Sequence, residues 1–469
     1  MNRSYTWATS ERQNPSFNSM KPLHALLALS MLSTAVTAAP LPEPQAAALT
    51  RQLQAIVDDP AMPLPGLSAV AVRGGEIVYS AQLGSKRLAT ATSPAQPVDA
   101  NTLFRVASVS KFVTTLGTMK LVEQGKLALD ADIGDVLGYR LRNPHFPDQP
   151  ITLRMLLTHT SSLRDEGGFK WAPDIDLKDV LLSGGRFYGK GDMWSADHAP
   201  GRYFEYVNFN WGLIATIMER AGGERFDRLM RRLVFDPMHL KAGFYLADFA
   251  PANIDDVATL YRKREKDGKE VWDPSGPWIA QADDFGVEAP TAPPGMDKYV
   301  VGTNGTVFGP QGSLRISTND LAQIMLMLMN GGRYRGQTML QRQTVDLMFS
   351  RQWTLDRDNG NGSSDDFHGL YHAWGLGNQQ FVDASTRGNG RAGGDRLVEG
   401  GGFTGAGHLG WSWGLNALFV FNRGSNDGII YVSSGVGANP ELQPGHYSSE
   451  ARFQERITDA LYRGAIKVP

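Results

Sequence analysis

Residues 42–58 carry apolar positions at helical spacing, Leu49, Leu53, Ile56 and Val57, and predict an amphipathic helix. The pattern then changes. Residues 66–72 and 76–80 are strand-like runs joined by Arg73-Gly74-Gly75, a Gly-Gly turn that predicts a hairpin and so an antiparallel sheet. The most apolar helix candidate of the chain follows over 108–124. Phe112, Val113, Leu116, Met119, Leu121 and Val122 cover nearly every side of it, as expected of a helix buried in a core, and Gly125 supplies its stop. Residues 126–300 show mainly helical patterns, at 152–157, 211–220 and 226–235, without paired strands. From 248 to 300 the residues shift to Asp, Pro, Gly and charge, which predicts long surface loops.

A helix resumes over 319–329, with Thr318 or Asn319 as its cap and Gly331-Gly332 as its end. Residues 355–367 and 384–396 are polar and glycine-rich, hence exposed loops. Strand-like runs return at 415–421 and 428–433, a second hairpin signal, and a stripe of Phe453, Ile457, Ala460 and Leu461 predicts a closing helix over 449–463. Strands at both ends and helices between them predict an α/β (α+β) fold. An antiparallel sheet flanked by helices is assembled from residues 39–125 and 301–469, and a mainly helical subdomain, 126–300, is inserted between them.

Composition narrows the functional classes. With 20% charged residues and a net charge of −2, the chain has neither a basic stripe for nucleic acid nor an acidic run. The absence of cysteine excludes disulfides, thiolate catalysis, cysteine-ligated metals and a lipid-anchored cysteine. Residues 1–38 read as a leader. Met20-Lys21 gives a positive start, 25–32 an apolar stretch too short to span a membrane, and Val36-Thr37-Ala38 small residues before a cut, so the expected destination is the periplasm or the exterior. Met20 offers a second initiator after the polar residues 1–19. No other stretch reaches a transmembrane length, so the mature chain is expected to lack an integral membrane segment.

Chemistry concentrates at the buried helix. Ser108 and Lys111 stand at i and i+3, one turn apart on one face, and no other serine of the chain has a lysine at that spacing. The bland alternative is a capping serine with a solvated lysine. Desolvation lowers the pKa of a buried lysine, and Ser108 sits at the positive end of the helix dipole, so the pair reads as nucleophile and base. Tyr206-Val207-Asn208 is the sole Y-x-N. Alone it reads as a turn tyrosine with a capping asparagine; beside Lys111 the phenol would have a lowered pKa and could shuttle protons. His408-Leu409-Gly410-Trp411 is read as opening the penultimate strand, where Gly410 lets backbone approach a ligand and an edge N–H could meet an oxyanion.

With these three motifs in order, the sequence resembles the serine β-lactamase and penicillin-binding-protein-like hydrolases, in their class C branch with its esterases and D-amino-acid peptidases. The resemblance covers nearly all of residues 45–445. Ser108 to Lys111 matches the family's S-x-x-K, Tyr206 to Asn208 its Y-x-N, and His408 to Gly410 its K-T-G or H-x-G. Leu156-Leu157-Thr158-His159-Thr160-Ser161-Ser162-Leu163, Pro200-Gly201, Asp236-Pro237-Met238 and the stretch from Gly312 to Gly332 match in order around them. The resemblance implies a β-lactamase/transpeptidase-like fold and an acyl-enzyme on Ser108. Lys111 and Tyr206 would move the proton, Asn208 would position Lys111 and the substrate, His408 would line the site, and the N–H groups of Ser108 and Trp411 would form the oxyanion hole. It implies no metal or organic cofactor, and a small ester, amide or peptide as the partner; the oligomeric state stays open.

Departures shape the expected substrate. His408 stands where β-lactamases and DD-peptidases usually carry a lysine that meets the substrate carboxylate, Leu409 replaces a small hydroxyl residue, and Trp411 and Trp413 crowd the strand edge. These changes favour esterase or D-amino-acid amidase chemistry over a β-lactamase or DD-peptidase, with a non-catalytic sensor or binding module as the remaining alternative.

Other motifs compete. Gly410 to Gly414 spells G-x-S-x-G around Ser412, with Asp427 and His446 behind it, but a nucleophile elbow needs a helix next and the pattern gives a strand. Residues 184–190 approach a phosphate loop, yet Gly191 stands where Ser or Thr must bind magnesium. Residues 400–405 fit G-x-G-x-x-G without the helix that should follow, and 356–362 lack the ligand pattern of a calcium loop.

Overall fold

Gly74 (φ 57°) and Gly75 (φ 83°) adopt the left-handed pair of conformations that matches the twist of two antiparallel strands. The chain therefore folds back on itself between β1 (Gly66–Arg73) and β2 (Glu76–Arg87). The structure, a computed structural model, describes residues 38–263, 272–285, 289–364, 367–388 and 390–468. The leader up to Thr37 lies outside the described residues.

Seven further strands complete the main sheet. They are β3 (Gln96–Pro97), β4 (Trp353–Thr354), β5 (Ala373–Trp374), β6 (Gln379–Phe381), β7 (Gly405–Ser412), β8 (Leu415–Asn422) and β9 (Asp427–Ser433). The spatial order is β4-β5-β6-β7-β8-β9-β1-β2-β3. The strand near the N-terminus thus sits inside the sheet, beside β9, with Val70 opposite Ile430. Chain ends far apart in sequence make one layer, as the alternation of strand and helix patterns predicts.

The sheet is apolar on both faces, and strand periodicity sorts its side chains. Val70, Val72, Phe419, Phe421, Ile430 and Val432 join one core; Ala69, Ala71, Leu418, Val420, Ile429 and Tyr431 join the other. Helices α1 (Glu43–Val57), α2 (Val109–Glu123), α3 (Phe209–Gly222), α4 (Thr318–Met329) and α5 (Arg452–Leu461) cover those faces. Residues of α1 and α5, among them Leu53, Ile56, Phe453 and Ile457, pack in the second core. α2 and α4 pack in the first, with the Phe112 ring 5.1 Å from Phe419. α2 is buried almost all round, as its uniform apolarity predicts.

Several details depart from the sequence reading. Residues 126–300 are not free of paired strands: Leu260–Lys263 pairs antiparallel with Trp278–Ala282 and parallel with Gly435–Val436. Polar and charged residues on these short strands hide the alternation, and their third strand comes from far along the chain. α4 begins at Thr318, one residue earlier than expected, and its cap is Ser317, whose hydroxyl accepts the Asp320 N–H at 3.0 Å. The predicted loop 384–396 contains a small hairpin, Thr386–Gly388 with Arg391–Gly393.

The packing of α2 on the sheet yields a stability prediction. Phe112 has no exposed surface and fills the space between α2 and β8. Phe112→Ala is expected to destabilise the protein by about 3 to 5 kcal/mol in denaturant unfolding. Near-unchanged stability would show that α2 is not clamped to the sheet there.

Candidate active site

Ala107 turns the chain sharply at φ 42°, a left-handed conformation uncommon for a side chain bearing Cβ, and α2 starts immediately after it. Ser108 is thereby delivered at the helix N-terminus, partly exposed, while Lys111 one turn on is completely buried. The Lys111 ammonium donates to Ser108 Oγ at 2.9 Å, Asn208 Oδ1 at 2.8 Å and the Gln311 carbonyl at 3.1 Å. Burial lowers its pKa to about 7, with Asp165 pulling the other way. Loss of one proton leaves a lone pair beside the serine hydroxyl. The spacing argument and the structure agree here.

Tyr206 is hydrogen-bonded to Ser108, which places the phenol, the amine and the serine hydroxyl together. Its pKa moves opposite to the sequence expectation. Burial raises it, Asp165 adds to the rise, and the hydrogen bond to Ser108 opposes it without reversing it; Lys111 Nζ lies over the ring face, 4.8 Å from the centroid. The tyrosine is held as a neutral phenol.

Asn208 owes its position to Asp165, a residue that the motifs did not point to. The side chain of Asn208 faces Lys111 and does not cap α3, which starts at the next residue. Asp165 caps the helix instead. Its Oδ2 accepts the Asn208 N–H at 2.8 Å and the Asn208 side-chain N–H at 2.9 Å, and its Oδ1 accepts the Phe209 N–H at 2.9 Å. One carboxylate orients the asparagine, satisfies the helix terminus and supports the charge of Lys111.

Two buried histidines flank Tyr206. His159 stacks on it with ring centroids 4.4 Å apart, and its Nδ1 accepts the Val207 N–H at 2.9 Å, so Nε2 carries the ring proton. His408 lies with its ring 6.1 Å from that of Tyr206 and donates from Nδ1 to the Leu409 carbonyl at 2.6 Å, which leaves Nε2 as an acceptor. Burial and the nearby Lys111 push the His408 pKa down to about 3, so the ring is neutral at pH 7.

β7 is neither the penultimate strand nor an edge over its whole length. β6 pairs with Gly405 to Gly407 and stops, so the side of β7 that faces away from β8 opens from His408 onward. The misreading arose because the glycines of β7 give no apolar alternation. Gly410 is required where it stands: a Cβ there would lie 2.5 Å from the Val106 carbonyl, next to the turn that delivers Ser108. Trp411 alternates away from His408 and Gly410, and its side chain is 62% exposed.

The rival serine is excluded by geometry. Ser412 pairs with Leu415 across a tight turn in which Trp413 (φ 48°) and Gly414 (φ 90°) are left-handed, so a hairpin, not a helix, follows it. Asp427 pairs with Asn422 at the other end of β8. The seven residue steps from Leu415 to Asn422 span about 23 Å, too far for a triad.

A family model described as Beta-lactamase matches residues 48–449. Penicillin-binding protein 4* of Bacillus subtilis (strain 168) is 30% identical over 203 residues, 41% of this chain and 41% of the relative. Esterase EstB of Burkholderia gladioli is 32% identical over 250 residues, 49% of this chain and 61% of the relative. A putative D-alanyl-D-alanine carboxypeptidase of Escherichia coli O157:H7 is 26% identical over 326 residues, 64% and 69% of the two chains. The first two matches thus span only two to three fifths of those relatives. The octameric penicillin-binding protein homologue from Pyrococcus abyssi superposes with a TM-score of 0.58 at 19% identity, over 89% of this chain and 76% of that one, a likeness of fold.

Asp165 raises the pKa of Lys111, so its removal has a defined sign. Asp165→Asn is expected to lower turnover and to shift the acid limb of the pH–rate profile, which should fall near pH 7 in the wild type, to lower pH. The shift is measured as kcat/KM against pH. Loss of activity without movement of the limb would leave Asp165 a purely structural cap.

Proposed function

This chain belongs to the Beta-lactamase family, and from that premise we propose that it is a serine hydrolase that cleaves an ester or amide bond through an acyl-enzyme on Ser108. The observation that carries the reading is the 2.9 Å contact between Ser108 Oγ and a fully buried Lys111 whose pKa lies near neutrality. Neutral Lys111 takes the hydroxyl proton as Oγ attacks the substrate carbonyl carbon, and backbone N–H groups of Ser108 and Trp411 receive the oxyanion. Tyr206, hydrogen-bonded to Ser108, gives its proton to the leaving alcohol or amine and recovers one from Lys111. Water then attacks the ester carbonyl, returns a proton through the same groups and releases the acid.

Esterase or D-amino-acid amidase type is favoured over β-lactamase or DD-peptidase type by His408. A neutral, buried imidazole offers an acceptor where an anionic carboxylate needs a cation or a donor. The β-lactamase reading draws its support from the penicillin-binding names among the relatives. Export to the periplasm or exterior is part of the proposal and is supported by the leader pattern over 20–39. Among the described residues no helix is long and apolar enough to cross a membrane.

Intact-mass labelling with a fluorophosphonate or penicillin probe tests the reading. A single adduct that Ser108→Ala abolishes is expected, with turnover of esters lowered by several orders of magnitude in that variant. Labelling that persists in Ser108→Ala would remove the assignment, and a permanent adduct with every acyl donor would identify an acylated sensor. Tyr206→Phe is expected to keep the fold while lowering turnover roughly 10² to 10⁴-fold; wild-type rates would make the tyrosine structural only.

A further inference from the structure

Two segments leave the catalytic centre and meet again at its outer end. Arg105 precedes Ser108 by three residues, which limits their Cα separation to about 11 Å. Trp413 follows Gly410 by three residues, and Gly410 is pressed against Val106. The Arg105 guanidinium stacks over the Trp413 ring, 4.9 Å from its centroid. The open side of β7 therefore runs from His408 beside the catalytic groups to an arginine-tryptophan pair.

That end of the cleft is cationic. Arg315 lies opposite Arg105 in a short antiparallel pairing and occupies Asp283 with both its Nε, at 3.0 Å, and its Nη2, at 2.5 Å. Arg105 reaches the same carboxylate through Nε at 3.5 Å, and that atom has no closer acceptor. Lys170, exposed on the loop that follows Asp165, is near enough for both guanidinium groups to help burial lower its pKa. Among the described residues Asp283 is the only carboxylate ion-paired with either arginine. Two guanidinium groups thus share one carboxylate, with the Lys170 ammonium near both. Trp413 is 43% exposed over the Arg105 guanidinium, whose side chain keeps 12% of its surface open.

We propose that Arg105, Trp413 and Lys170 form a subsite for the far end of the substrate's acyl group, and that this subsite selects acyl chains ending in a carboxylate. The inference rests on the serine-hydrolase reading and deepens it. It also separates two positions for negative charge: the inner end of the cleft at His408 is neutral and rejects an anion, whereas the outer end supplies a stacked guanidinium and an exposed ammonium. An extended chain esterified to Ser108 would lay its methylenes along the open strand edge and its terminal carboxylate against the cluster.

Matched esters test it. The 4-nitrophenyl monoesters of glutarate, adipate and suberate are compared with the 4-nitrophenyl esters of chains of equal length ending in methyl, each corrected for the rate in Ser108→Ala. For the best-fitting length, the ratio of kcat/KM values is expected to favour the carboxylate roughly ten- to a hundred-fold, mainly through KM. Arg105→Gln should bring the ratio near one. Because that change also unbalances Asp283, Lys170→Glu is the second variant: it leaves the buried ion pairs intact and should lower the ratio several-fold. Equal handling of the two series by the wild type, or a ratio unchanged in both variants, would overturn the subsite while the hydrolase reading stands. No turnover of any ester, together with no fluorophosphonate adduct on Ser108, would overturn both.

Discussion

The burial of one amine governs this architecture. Lys111 has no exposed surface, and an ammonium without water must find acceptors in the protein or lose its proton. It finds three, from three separate parts of the chain: the start of its own helix, the residue before α3 and the Gln311 carbonyl of a loop that precedes α4. These bonds fix α2, α3 and that loop relative to each other. The charge state remains balanced because two opposing effects of the same surroundings, desolvation and the Asp165 carboxylate, leave the pKa near 7. A lysine with more solvent would stay charged and could not accept the serine proton.

Holding this arrangement costs backbone strain, and the strain lies beside Ser108, Lys111 and Tyr206. Ala107, His159 and Ser162 all adopt left-handed φ without being glycine, a cost of about 1 kcal/mol or more each. Each is tied down. The Ser110 N–H bonds to the Ala107 carbonyl, the Glu205 N–H to the His159 carbonyl and the Ser195 N–H to the Ser162 carbonyl. The His159 ring then passes the constraint to Tyr206 by stacking on it and by accepting the Val207 N–H. The turn at 159–162 therefore positions the phenol from behind without touching Ser108.

How much of this the sequence discloses depends on whether the controlling interaction is local. The hairpin at Gly74-Gly75, the buried α2 and the Ser108–Lys111 pair are set by neighbours within one turn or one strand pairing, and periodicity reveals them. Tyr206 and Asn208 are legible through their motif, but their environment is not: the direction of the tyrosine pKa is set by the depth of its burial, which spacing does not contain. Asp165 carries no motif, yet it is an acidic residue on the loop after Leu163 and bonds to backbone 43 residues away. The strand Leu260–Lys263 was hidden for the same reason, since its parallel partner, Gly435–Val436, lies far along the chain. β7 fails differently. Gly405, Gly407 and Gly410 remove the apolar alternation that marks a strand, and Gly407 and Gly410 do so where a Cβ would meet the Phe419 or the Val106 carbonyl.

The neutral state of His408 has two consequences that cannot be varied separately. The ring shares its surroundings with Lys111, whose charge helps burial keep the imidazole unprotonated. A permanent cation at position 408 would attract a substrate anion to the inner end of the cleft. By the same Coulombic coupling it would push the Lys111 pKa below 7 and weaken the amine as a base. A neutral imidazole avoids that second effect, so the amine titrates close to neutrality while the inner cleft favours uncharged groups. On the proposed subsite, negative charge on a substrate would lie where it cannot reach Lys111, at the end of β7 near Arg105. The separation between the two ends of that strand would then let a single cleft combine an amine that titrates near neutral pH with the binding of an anion.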